Sequence, residues 1–90
     1  MHSWNAELLR PRGIRFNAIS PGPTDTPLFD KPGSPFPDGK AARAALTPDI
    51  PVGRFGTARE IADLVVHLAS DESAYTVDQD ILADGGRHIL

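Results

Sequence analysis

A short apolar run, Ile14 to Ile19, stops abruptly at Pro21-Gly22-Pro23 and then at Thr24 and Thr26, and this junction constrains the chain more than any other stretch. Proline has no amide proton for a sheet ladder, so a strand at 14–19 is expected to end before Pro21 and pass into a stiff loop. The run does not alternate cleanly, because Ala18 and Ile19 are adjacent. That pattern predicts a strand covered on both faces, as in a parallel sheet flanked by helices. Gly22 lets the backbone approach a ligand closely, and the prolines fix the loop in advance of binding. Ligands of open parallel sheets sit beyond the carboxyl ends of the strands, which is where this loop falls. The same residues also describe a stiff turn bearing two surface threonines.

The rest of the chain is read around that junction. Residues 1–13 suit the tail of a helix, with Trp4 and Leu8 on one face, a break at Pro11 and an exit at Gly13. Residues 27–56 are crowded with breakers, including Pro32, Pro35, Pro37, Pro48 and Pro51. Only Lys40 to Leu46 has helix propensity there, with Pro48 ending it. A connection of this length is either a lid over a ligand or a solvated loop. Thr57-Ala58-Arg59-Glu60 is a capping box, followed by an apolar stripe at Ile61, Leu64, Val65 and Leu68. That helix should end near Ser70-Asp71. A second strand, Asp80 to Asp84, is closed by Asp84-Gly85-Gly86. Strand, helix and strand in this order imply a parallel crossover.

Composition excludes several functions. A net charge of −3 leaves no basic footprint for nucleic acid or an anionic membrane. There is no cysteine, hence no disulfide framework and no thiolate metal site, which suits a reducing cytoplasm. No apolar run approaches the roughly 18 residues of a membrane span, and no signal-peptide pattern opens the chain. The 9 Pro and 8 Gly among 90 residues favour long ordered loops, or a piece of something larger, over a self-sufficient fold.

Other candidate chemistry is thin. His2, His67 and His88 lack metal-ligand spacing, so no metal site is expected. The pairs Asp71/Glu72 and Asp78/Asp80 suit helix-end and turn solvation better than acid–base work. The serines at 3, 20, 34, 70 and 73 have no nucleophile-elbow context, and no G-x-G-x-x-G loop occurs.

Taken together, the motifs resemble a family. Arg12 to Pro27 is similar to the sixth strand and following loop of short-chain dehydrogenase/reductases. Pro51-Val52-Gly53-Arg54-Phe55-Gly56, Glu60-Ile61-Ala62, Leu68-Ala69-Ser70-Asp71 and Asp84-Gly85-Gly86 follow in that family's order and spacing, from about Ser3 to Gly86. The resemblance implies an α/β fold, the C-terminal part of a Rossmann-type doubly wound parallel sheet with two strands, two to three helices and a long loop. Residues 1–90 would form one partial domain, with 27–56 as the substrate-loop region.

It further implies an oxidoreductase that interconverts an alcohol and a carbonyl with NAD or NADP. Pro21, Gly22, Pro23, Thr24 and Thr26 would lie on the nicotinamide side of the cofactor. Helix 58–70 and strand 80–84 would serve homo-oligomer contacts. The family's glycine-rich loop, catalytic serine and Tyr-x-x-x-Lys pair have no counterpart among these residues: Tyr75 is followed by Thr76-Val77-Asp78-Gln79. No catalytic residue is therefore assigned, and no hydride transfer is expected from these 90 residues alone. The alternative is a non-catalytic interaction or oligomerisation module that docks onto full-length relatives. Asp78 stands where the family usually has glycine, which leaves the turn into the last strand open.

Overall fold

A computed structural model of the chain describes residues 2–89, the side chains of residues 2–5 excepted. The first helix, α1 (His2–Arg12), carries Pro11 inside it rather than breaking there. A proline in the final turn forfeits one intrahelical bond and has no further turn to disrupt. Gly13, at φ 66, then closes the end, its N–H donating to the Leu9 carbonyl at 2.9 Å. The Trp4–Leu8 pairing rests on a side chain outside the described residues.

Strand β1 spans Ala18–Pro21, not residues 14–19, and it includes the proline expected to follow it. The cause of the late start lies across the sheet. Asp78 occupies the left-handed region at φ 59, and its N–H donates to the Phe16 carbonyl at 2.8 Å before any regular ladder begins. The Asn17 carboxamide fills the gap, donating to Thr76 O and accepting from Gln79 N, both at 3.0 Å. The ladder proper pairs β1 in parallel with the last strand, Asp80–Ala83, in the register Ala18↔Asp80 to Pro21↔Ala83. Pro21 is tolerated by phase. Ala18 and Gly22 send their N–H groups to Gln79 O (2.8 Å) and Ala83 O (3.0 Å), so the donor that residue 21 lacks points away from that partner.

Two further parallel strands were not foreseen, β2 (Thr24–Asp25) and β3 (Gly56–Thr57), two residues each. They tie the loop after β1 to the segment entering the third helix. Between them lies α2 (Gly39–Leu46), capped by Asp38, whose carboxylate accepts from the Lys40 and Ala41 amides. Residues 27–56 are largely exposed but gather round an aromatic cluster. Phe29 stacks on Phe36 with centroids 4.7 Å apart and meets Phe55 edge-on at 5.5 Å. Phe29 and Ile50 are the buried apolar side chains among the described residues.

Helix α3 (Ala58–Ala69) has both halves of the capping box at Thr57 and Glu60, and Ser70 closes it. Its stripe is only half-covered: Ile61, Leu64 and Leu68 are partly buried, and Val65 is 49% exposed. Arg15 holds its far end. The guanidinium donates to the carbonyls of Leu68 (3.0 Å), Ser70 (3.1 Å), Ser73 (3.0 Å) and Thr76 (3.1 Å). A cation among carbonyls at a helix C-terminus satisfies acceptors that have no intrahelical partner. The last strand, β4 (Asp80–Ala83), follows as its sequence pattern predicts.

Candidate functional site

The carboxyl ends of β1 and β4 lie side by side, so the loop after Pro21 and the turn at Asp84 face each other. Gly22 marks the closest approach. A Cβ on it would lie 2.5 Å from Asp84 Cβ and 2.6 Å from Asp84 Cα. The glycine anticipated for a ligand thus has a prior duty: it lets the backbone of one loop press on the other.

The remaining residues of the loop are held in sequence. The Pro23 carbonyl accepts from Gly56 N at 3.0 Å, and Thr24 pairs with Gly56 in the short sheet. The Thr24 hydroxyl donates to the Gly22 carbonyl at 2.9 Å, so its proton is spent inside the loop. Thr26 differs. It stands in extended geometry before the 3-10 turn Pro27–Phe29 and makes no cap bond. Thr26 as a whole is half-buried, and its hydroxyl has no hydrogen-bond partner among the described residues. Of the five residues singled out in this loop, Thr26 therefore offers a free donor, and Pro21, Gly22, Pro23 and Thr24 fix the backbone that leads to it.

Asp84 organises the facing turn. Its carboxylate accepts from Gly86 N at 3.0 Å and from His88 N at 2.9 Å, and it faces the His88 ring at Nδ1, 2.9 Å away. The His88 side chain first, then the two backbone amides, hold the Asp84 carboxyl below its ordinary range. Val52 N donates to the Gly85 carbonyl at 3.0 Å, fastening the turn to the segment before β3. A cavity of about 290 Å³ opens here, bordered by Pro23, Val52, Ile61, Leu82 and the Asp84–His88 pair.

Two charged arrangements in the long connection escaped the sequence reading. Arg54 forms a fork with Glu60, Nη1 to Oε1 at 2.7 Å and Nη2 to Oε2 at 3.0 Å. Together with the Thr57 amide it draws the Glu60 carboxyl down to about 2. Arg43, on α2, reaches both Asp25 and Asp30 and lies over the Phe29 ring. Arg54 and Glu60 both stand in the motifs quoted from the sequence, but nothing there joined them; Arg43 stands in a run of alanines, where nothing marked its partners.

Of the other candidates, Ser20 and His88 border this end of the sheet with Pro21, Gly22 and Asp84, whereas Ser70, Ser73, His67 and Tyr75 are set apart from it. Ser70 and Ser73 cap turns near Arg15, and the Ser20 hydroxyl donates to Asp80 at 2.8 Å. His67 faces Glu72 at 3.6 Å, and Tyr75 is fully exposed. Among the described residues no three His, Cys, Asp or Glu side chains converge on a metal position, and no helix is long and apolar enough to cross a membrane.

A family model described as enoyl-(acyl carrier protein) reductase matches residues 2–88. The chain belongs to the short-chain dehydrogenase/reductase family. It is 45% identical over 84 residues to a 3-oxoacyl-[acyl-carrier-protein] reductase of Thermotoga maritima, covering 93% of this chain and 31% of that one. A 2-keto-3-deoxy-L-fuconate dehydrogenase of Xanthomonas campestris is 46% identical over 76 residues, 83% of this chain and 25% of the relative. Among solved structures, a short-chain dehydrogenase from Bacillus anthracis superimposes with a TM-score of 0.70 at 37% identity, covering 96% of this chain and 29% of the other. The chain therefore spans between a quarter and a third of the length of the curated relatives it matches. Its parallel β1–β4 pair and the helices beside it are part of the family's Rossmann-type α/β fold.

Proposed function

We propose that these residues form the nicotinamide-side and substrate-loop portion of an NAD(P)-dependent oxidoreductase acting on an alcohol or carbonyl compound. The observation that carries the reading is the partnerless Thr26 hydroxyl, at the end of a loop braced by Gly22 on Asp84 and by β2 on β3. A donor fixed by a rigid backbone suits an uncharged carboxamide, and a polar group already oriented binds with less entropic loss. The cofactor, when bound, supplies or accepts the hydride. Thr26 would orient its nicotinamide end, and Pro21, Gly22, Pro23 and Thr24 would form the wall behind it. Residues 27–56, with α2 and the aromatic cluster, would border the small-molecule substrate. A cysteine-free chain suits work in the reducing cytoplasm.

These 90 residues carry no glycine-rich phosphate cradle and no Tyr-x-x-x-Lys pair, so alone they should neither grip the dinucleotide nor reduce a carbonyl. Fluorescence titration with NADH and NADPH tests this on the purified chain. We expect no saturation below a millimolar and no turnover; tight binding with turnover of any ketone would overturn the assignment of the chemistry to residues outside this stretch.

A second reading has its own support. β1 has one neighbour in its sheet, and Val65, Val66 and Leu82 are 49%, 67% and 50% exposed. A free edge beside apolar surface favours docking onto full-length relatives, or self-association through helix 58–70 and strand 80–84. Light scattering separates the two. A discrete folded dimer supports the docking module, and an unfolded or aggregated chain counts against it.

A further inference from the structure

We propose that Arg43 is a positioning residue, a clamp on α2 that fixes the segment from Asp25 to Asp30 and with it the Thr26 hydroxyl. The inference rests on the nicotinamide reading for its use but not for its geometry. Thr26 is flanked on both sides by what Arg43 holds. Ahead of it, Asp25 Oδ1 lies 3.1 Å from Arg43 Nε and 3.0 Å from Nη2. Behind it, Asp30 accepts a fork, Nη1 to Oδ1 at 3.1 Å and Nη2 to Oδ2 at 2.8 Å. The guanidinium carbon also stands 5.0 Å from the centre of the Phe29 ring.

An isolated ion pair at the surface is a weak device, because solvent screens it and two long side chains lose freedom. This arrangement differs in three respects. The Asp30 contact is bidentate, a second carboxylate shares the same cation, and an aromatic face covers it. Arg43 retains only 27% of its side-chain exposure while the two aspartates keep 60% and 61%, so the clamp is anchored at the cation. Gly39 makes room for it: a Cβ there would lie 2.5 Å from Asp30 Oδ1. A lysine at 43 would supply charge without the fork.

Cleavage by a lysine-specific endopeptidase reads the clamp without any cofactor. The chain has two lysines, Lys31, which precedes a proline, and Lys40 in the first turn of α2. Cutting at Lys40–Ala41 requires α2 to open, and its rate follows the open population. Arg43→Met creates no new cleavage site. It should raise the rate about tenfold, as should Asp30→Asn, and the double variant should be no faster than either alone. Molar salt should speed cleavage of the parent chain and leave Arg43→Met unchanged, a response that a purely packing role does not give. Amide exchange at Asp25 and Thr26 should rise in parallel. An unchanged rate, additive single effects, equal salt responses, or helix loss throughout the chain by circular dichroism would each overturn the clamp. Because no nicotinamide is present, that failure is separate from failure of the functional reading.

Discussion

Gly22 and Gly39 look interchangeable on paper with any turn glycine, yet each is demanded by a neighbour at a specific atom. At Gly22 the obstructing atoms are Asp84 Cβ and Cα, 2.5 and 2.6 Å from the position of an added Cβ, and backbone cannot swing aside as a side chain does. Gly22→Ala should therefore lower stability by roughly 1–3 kcal/mol, as overpacking does in a fitted interior, which a urea titration would measure. Gly39 gives a sharper contrast. It is the first residue of α2, where helix propensity alone predicts that alanine stabilises by up to about 1 kcal/mol. The close approach to Asp30 Oδ1 and the Phe29 carbonyl, both at 2.5 Å, predicts the opposite sign. Faster cleavage at Lys40 in Gly39→Ala would decide for the contact, slower cleavage for propensity. Sequence marked both positions as glycines in turn-rich company; the atoms that make them obligatory lie 62 and 9 residues away along the chain, beyond the reach of any local pattern.

Among the elements, legibility followed how local the determinants are. Helix α3 and strand β4 were readable because a capping box, a 3.6-residue stripe and an Asp-Gly-Gly stop sit inside or next to them. Strand β1 was misplaced because its start is set by Asp78 and the Asn17 carboxamide, both acting across the sheet. Asp78 takes the left-handed conformation where glycine is usual, so the turn forms despite the departure.

Helix α3 also invites two tests, one at each end. Glu60 is drawn down from 4.5 to about 2 by Arg54 and the Thr57 amide. A depressed carboxyl contributes its full stabilisation above its unfolded value and loses it as pH falls through the folded one. Helicity should thus hold above about pH 4.5 and fall between there and pH 2, and Glu60→Gln should flatten that part of the profile. At the other end, Arg15→Met removes the charged donor shared by the Leu68, Ser70, Ser73 and Thr76 carbonyls, which keep only their bonds from Ser73, Thr76 and Asn17. A cost of roughly 2–3 kcal/mol is expected. Amide exchange should quicken in the last turn of α3 while its capped first turn keeps its protection, a polarity that uniform destabilisation would not produce.

At the scale of the whole molecule the packing is thin. Phe29 and Ile50 alone among the described apolar side chains are buried, while Ile14, Leu28, Val52, Val66 and Leu82 are more than 40% exposed. The radius of gyration is 16.4 Å, against roughly 12 Å for a compact domain of this length. The sheet is two separate pairs, and β1 has an open edge that ends at Pro21. A gap of about 290 Å³ lies between Arg15, Asn17 and Ile19 on one side and Val65, Leu68 and Ala69 on the other. What holds the chain in shape is mainly polar: Arg15 and Arg43 join segments distant in sequence, while Arg54 and Asp84 fix the turns beside them. Polar clamps fix geometry but release little apolar surface from water, and the denaturant dependence of unfolding scales with the surface exposed. The isolated 90 residues should therefore unfold broadly, with a urea slope below about 1 kcal/mol/M and binding of a hydrophobic dye before the transition. Mixing with a polypeptide comprising the part of the Thermotoga maritima relative that this chain does not match should cover the open edge of β1 and the exposed face of α3. The expected result is a steeper transition and loss of dye binding. A steep, dye-free transition of the monomer alone would show that the polar clamps suffice, and that the open edge needs no partner.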